Sequence, residues 1–194
     1  MTPSDDRQLS FFARDQMGTY SCAPPEEVRV SSEALQQWKQ RVWDYQQQRF
    51  TQGSIEQGTL FDLQPAISLP DPECIDPFQL PRQNTQFWRW QVHEQGVAAL
   101  YFVIDYEGPI LLYVGETVHS NQRWKGEHDC KRYLLNYQQA HYTNQLPTSL
   151  SIAFWNHAPQ DYRQRRKLES TLIYKWRSPF NKENWEFWGT PFVN

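Results

Sequence analysis

Two apolar runs separated by a tight turn constrain this chain most. VAALYFVID (97–105) and ILLYVG (110–115) are each of strand length and rich in aliphatic and aromatic residues, and only Tyr106-Glu107-Gly108-Pro109 lies between them. Such a pair predicts an antiparallel hairpin of buried strands. A third run, SLSIAFWNHA (149–158), predicts another strand. The segment that follows, PQDYRQRRKLESTLIYKWR, places Leu168, Leu172 and Trp176 on one helical face and opens after Pro159 with Asp161 in its first turn. Ser178-Pro179 ends that helix. Between strands two and three, residues from about Asn121 to Tyr137 read as a helix. The expected order is therefore β-β-α-β-α, an α+β unit with a small three-stranded antiparallel sheet flanked by helices.

The N-terminal half has a different texture. Residues 32–50 predict a helix with Ser32 as N-cap and an apolar stripe of Leu35, Trp38, Val42 and Tyr45. Its Gln, Lys and Arg residues read as a solvated face. Residues 51–86 carry two glycines and five prolines and read as a long loop in which no strand or helix of normal length fits. FWRWQVH (87–93) alternates in the manner of a strand. The chain divides on this reading into an extension, 1–86, with one helix and a Pro/Gly-rich linker, and a domain, 87–194.

Composition narrows the class. With 194 residues the chain can bury a core without staples, and its 9 Trp, 10 Tyr and 11 Phe supply the area. A mean hydropathy of −0.81 and the lack of an 18-residue apolar run argue against a membrane helix. MTPSDDRQLSFF lacks the features of a secretory signal. Cys22, Cys74 and Cys130 are odd in number and widely spaced, which fits a reducing cytoplasm rather than a disulfide scaffold. His119, His128, His141 and Cys130 match no common zinc spacing. The net charge of −3 hides an asymmetry: residues 1–96 hold 8 Lys/Arg against 13 Asp/Glu, and residues 97–194 hold 11 against 9. The whole chain does not read as a polyanion binder; if it has a nucleic-acid surface, that surface belongs in the second half.

That half carries a chemical constellation. Tyr101 and Tyr113 lie on adjacent strands and can share a face. A phenol relays a proton when a cation or metal lowers its pKa from near ~10. Arg123, on the next element, can fork onto a phosphate. Glu169, a carboxylate on the last helix, suits Mg²⁺ held mainly by water and substrate. Together these supply a water activator, a charge clamp and a Lewis acid for phosphodiester hydrolysis.

Leu100-Tyr101, Tyr113-Val114-Gly115, Arg123, Glu169 within Glu-x-x-Leu-Ile (169–173) and Asn181 together resemble the GIY-YIG nuclease family over residues 97–184. The resemblance implies that fold, a Mg²⁺- or Mn²⁺-dependent DNA endonuclease leaving a 3′-hydroxyl and a 5′-phosphate, and a catalytic set of Tyr101, Tyr113, Arg123, Glu169 and Asn181, with the metal on Glu169. It departs from the family at Ala99, in place of a glycine, and at Glu116, beside Tyr113. The histidine that follows the family arginine by one helical turn is replaced by Glu127, with His128 one residue later as the substitute proton-transfer group. Arg123 and Lys125, with Arg163, Arg165, Arg166 and Lys167 ahead of Glu169, are expected DNA-backbone contacts. Trp155, Trp176, Trp185 and Trp188 are expected in the core. Gln8-Leu9-Ser10-Phe11-Phe12 and Gln57-Gly58-Thr59-Leu60-Phe61 resemble the peptide by which bacterial repair proteins dock on the polymerase sliding clamp, a glutamine anchoring while Leu9, Phe11, Phe12 or Leu60, Phe61 enter a pocket. These features predict an enzyme of DNA repair or branched-DNA processing; the alternative is a non-catalytic DNA- or clamp-binding adaptor on a decayed nuclease fold.

Overall fold

The structure is a computed structural model that describes residues 30–52, 70–85, 96–120 and 129–192. Helix α1 (Ser32–Gln52) precedes two 3-10 turns (Pro72–Cys74 and Pro77–Gln79) and strand β1 (Arg82–Asn84). Strands β2 (Ala99–Asp105) and β3 (Ile110–Thr117) follow, then α2 (Asp129–Thr143), β4 (Leu150–Trp155), α3 (Tyr162–Trp176), a 3-10 turn (Lys182–Asn184) and the single turn α4 (Trp185–Trp188). The α+β class and the β2–β3 hairpin are as expected. The sheet has four strands, not three, in the order β1-β4-β2-β3, all antiparallel. The extra strand is β1, inside the stretch read as loop. Its three residues are all exposed, and pairing with Ser151–Ala153 of β4 makes them a strand. The two 3-10 turns also lie in that stretch, each started by an aspartate (Asp71, Asp76) that accepts a backbone N–H two residues on. Residues 87–93 lie outside the described residues.

The helix starts show local physics at work. Ser31, not Ser32, caps α1, its Oγ accepting from Ala34 N at 3.2 Å. Asp161 caps α3 by accepting from Gln164 N at 2.9 Å. Arg177, with φ of 48°, takes the left-handed position that ends α3.

Both sheet faces are covered. Leu100, Phe102, Ile104, Leu111 and Val114 pack against Leu168, Leu172, Ile173 and Trp176 of α3. On the other face Ala99, Tyr101, Val103, Ile110 and Leu112 meet Leu35, Trp38 and Val42 of α1 and Tyr133, Leu134 and Tyr137 of α2. Helix α1 thus shares a core with the hairpin. Trp176 and Trp188 are buried, and Trp155 and Trp185 pack against the two cores.

Pairing of β2 with β3 slips between Val103 and Ile104, so that Val103 faces Tyr113 and Ile104 faces Leu111. This bulge gives Leu112 and Tyr113 the same face. It is what brings Tyr113 onto the Tyr101 side of the sheet.

Among the described residues no strand covers the outer side of β3. Two side-chain amides take that place. Gln46 of α1, fully buried, accepts from Leu111 N at 2.8 Å and donates to Leu111 O at 2.9 Å and Trp176 O at 3.1 Å. Asn181 accepts from Val114 N at 2.9 Å and donates to Val114 O at 2.9 Å. Between them Phe180 N donates to Leu112 O. Gln46, assigned by sequence to a solvated face, is a backbone clamp.

Candidate active site

Because β3 is an edge strand, groups from opposite faces of the sheet can meet beyond it. A cleft of about 1060 Å³ opens there, lined by Tyr113 from β3, Cys130 and Tyr133 from α2, Arg166 and Glu169 from α3, and the Phe180–Glu183 turn. Tyr113, Glu169 and Asn181 of the expected set are thereby brought to one place. Lys131 and Arg132 add positive charge to its walls, and Lys182 is paired with Asp129 at 3.1 Å.

Glu169 is 5% exposed. Arg166 Nη1 donates to its Oε2 at 2.8 Å, from a side chain that is itself half exposed. Burial pushes the Glu169 carboxyl up to about 7; Arg166 opposes this, while Glu116 and Glu183 add to it. A buried carboxylate facing an open cleft is a hard oxygen donor. Such a donor fits Mg²⁺ or Mn²⁺, which need one or two carboxylates and keep several waters. Among the described residues no group of three or more His, Cys, Asp or Glu side chains gathers.

The two tyrosines are placed differently. Their ring centroids are 5.8 Å apart at 30°. Tyr101 is fully buried between Tyr113 and Phe154, and its ring lies across Gly115. A Cβ on Gly115 would stand 2.3 Å from Tyr101 Cζ, so the glycine of Tyr-Val-Gly is required by the close approach of that ring. Tyr113 is half buried and forms part of the cleft wall.

Asn181 has its amide committed to Val114, and its Oδ1 also accepts from Ser178 Oγ at 2.6 Å. Expected in the catalytic set, it holds the backbone next to Tyr113 through these bonds. Arg165, expected on DNA, is buried; its Nε meets Glu116 Oε2 at 2.6 Å, and its Nη1 donates to Pro159 O and Gln160 O. Glu116 therefore points to the α3 face, away from the Tyr101–Tyr113 face. Arg163, Arg166 and Lys167 are exposed.

Arg123, Lys125 and His128 lie outside the described residues, as do Gln8, Leu9, Phe11, Phe12, Gln57, Leu60 and Phe61 of the clamp-like peptides. Sequence reasoning missed Lys131, Arg132 and Lys182. For the first two, the Lys131-Arg132 pair just after Asp129 at the start of α2 was the available signal. Among the described residues no helix is long and apolar enough to cross a membrane. No family model, curated protein or solved structure matches the chain.

Proposed function

We propose that this chain is a metal-dependent DNA endonuclease of the GIY-YIG type, acting in repair or in processing of branched or damaged DNA in the cytoplasm. The observation that carries the reading is the convergence of Tyr113 and Glu169, from opposite faces of the sheet, on one basic-rimmed cleft. Glu169 would hold Mg²⁺ or Mn²⁺, which supplies Lewis acidity at the scissile phosphate. Tyr113, having given its own proton to solvent under the influence of the bound cation, would take the proton of the attacking water as the phenolate. Tyr101 fixes the plane of the Tyr113 ring and stays out of solvent. Arg123 stabilises the charge that builds on phosphorus. Lys131, Arg132 and Lys182 hold the flanking phosphates. Clamp-directed recruitment through Gln8–Phe12 or Gln57–Phe61 is part of the same proposal.

A second reading has one observation in its favour. The Arg166 guanidinium already sits on Glu169, where a cation is needed. In a decayed fold that ion pair would replace the metal and leave a DNA- or clamp-binding adaptor. Cleavage of supercoiled plasmid, flap, four-way junction and mismatched duplex with Mg²⁺ or Mn²⁺, comparing wild type with Glu169→Ala, separates the two. Metal-dependent cutting lost in the variant supports the nuclease. A folded wild type that cuts none of them overturns it in favour of the adaptor.

A further inference from the structure

Away from the cleft, three elements contribute to one surface row in which rings and guanidinium groups alternate. Arg49 and Tyr45 come from α1, Phe187 from α4, and Arg177 and Tyr174 from the end of α3. Arg49 Cζ is 5.0 Å from the Tyr45 ring, and its Nη2 donates to Tyr45 Oη. Tyr45 meets Phe187 edge to face at 5.8 Å. Phe187 is 5.1 Å from Arg177 Cζ, which is 4.5 Å from the Tyr174 ring. Tyr174 and Phe187 are 68% and 52% exposed. Arg41 reaches the same corner, its Nη2 3.5 Å from Trp188 O.

The row is unusual for an exposed surface. Large rings are held at fixed positions by a buried base: Tyr45 and Phe187 both pack on Trp188, whose Nε1 donates to Arg177 O. Among the described residues these cations pair with no carboxylate. Arg49 and Arg177 are held by a phenol and by Asn184 Oδ1, while Asp44 of α1 is taken by Gln40. Rings pre-set for stacking, interleaved with guanidinium groups that keep their charge, match a polyanion whose bases are unpaired. Duplex DNA hides its ring faces and would gain only from the charge.

We infer that Arg49, Tyr45, Phe187, Arg177 and Tyr174 form a binding platform for single-stranded DNA, separate from the cleft. It stacks bases on Tyr174 and Phe187 and holds phosphates on Arg49, Arg177 and Arg41. The choice of DNA rests on the proposed nuclease function; the platform itself does not depend on the metal chemistry.

The test is fluorescence anisotropy of the full chain with labelled oligodeoxythymidine in EDTA, where no metal-dependent cutting intervenes. Variants are Tyr174→Ala, Phe187→Ala and their double, with Tyr142→Ala, another exposed ring, as control. Circular dichroism confirms folding. Each platform variant is expected to weaken binding about tenfold, the usual size of one lost stacking partner. Duplex binding is expected to change little, and Tyr142→Ala to match wild type. Wild type that does not bind the oligomer, a double variant that binds as wild type does, or an equal loss in Tyr142→Ala overturns the platform. Tighter binding of oligouridine than of oligodeoxythymidine overturns its assignment to DNA. Loss of plasmid cleavage in Glu169→Ala with oligomer binding intact leaves the two sites distinct.

Discussion

Asp105 and Glu169 are both carboxylates taken out of water, and the fold treats them in opposite ways. Asp105, at the end of β2, is fully buried and accepts from five donors: Lys39 Nζ at 2.9 Å, Tyr137 Oη at 2.7 Å, Thr148 Oγ1 at 3.1 Å, Ser149 N at 2.8 Å and Glu107 N at 3.1 Å. Burial alone would raise its carboxyl, but the Lys39 charge and the donors from Ser149 and Tyr137 outweigh that and hold it below 3.8. Glu169 has Arg166 on one oxygen and two carboxylates nearby, and burial carries it up. The saturated carboxylate ties α1, β2 and α2 together. The unsaturated one faces a cleft and keeps its capacity for a new partner.

That contrast can be broken by experiment. The largest effect is expected from Glu169→Gln. It should cut cleavage by roughly 10³-fold, because several kcal/mol of charge stabilisation is lost, while the melting temperature stays level or rises. A fall in melting temperature with activity retained would reverse the assignment. Asp105→Ala should do the converse. It strands Lys39 beside an empty, desolvated site and should cost about 3–5 kcal/mol. At about 2–4 °C per kcal/mol for a chain of this size, melting drops by roughly 10 °C. Cleavage per folded molecule should not change.

Asn181→Ala sharpens the comparison from the cleft side. It leaves Val114 N–H and C=O without their partner and is expected to cost about 1–3 kcal/mol. Cleavage should fall through misplacement of Tyr113, and Asn181→Ala should lose stability where Glu169→Gln does not.

The smallest effect is in pH. His141 Nδ1 donates to Tyr137 O at 2.8 Å and its Nε2 accepts from Lys39 at 3.2 Å, which requires the neutral ring. Burial, aided by the Lys39 charge, lowers its pKa below 6.5 against the pull of Tyr137 O and Asp105. The unfolded chain then binds the proton more readily, so stability is full above about 6.5 and falls as pH drops below it. Asp105, also lowered, adds a second loss below 3.8, as pH falls through its folded pKa. Glu169, raised to about 7, works the other way, since the folded chain takes up its proton first and gains stability as pH falls through 7. In a Glu169→Gln background, which removes that gain, thermal melts should decline from pH 7.5 to 5.5, and adding His141→Gln should flatten the decline. A Glu169→Gln protein whose melting temperature is the same at both values would remove His141 from the account.

Much of this was legible locally. The hairpin, β4, α1 and α3 follow from runs and stripes that need only neighbours in sequence. The parts that were not legible depend on distant partners. β1 is a strand only because β4 lies beside it. The bulge that turns Tyr113 is set by the pairing of β2 with β3, not by the residues at the slip. Gln46 lies four residues after Val42, on the Leu35–Trp38–Val42 stripe, and that position was the sign that it is buried. Polarity argued the other way, and only the unpaired Leu111 backbone explains the burial. Tyr101 and Tyr113 were equivalent as motif letters; burial separates them. Asp105, a charge closing an apolar run, was a visible sign of a buried partner whose identity, Lys39 on α1, the sequence alone could not supply.

The amide clamps on β3 bear on any attempt to dissect the molecule. A fragment of residues 87–194 holds every residue that lines the cleft, yet it lacks Gln46 and β1. Leu111 would lose the group that closes its N–H and C=O, and Ser151–Ala153 of β4 would lose their pairing to Arg82–Asn84. Both margins of the sheet would then offer bare backbone to another copy. Such a fragment should self-associate instead of staying monomeric, which makes α1 and β1 guards against polymerisation.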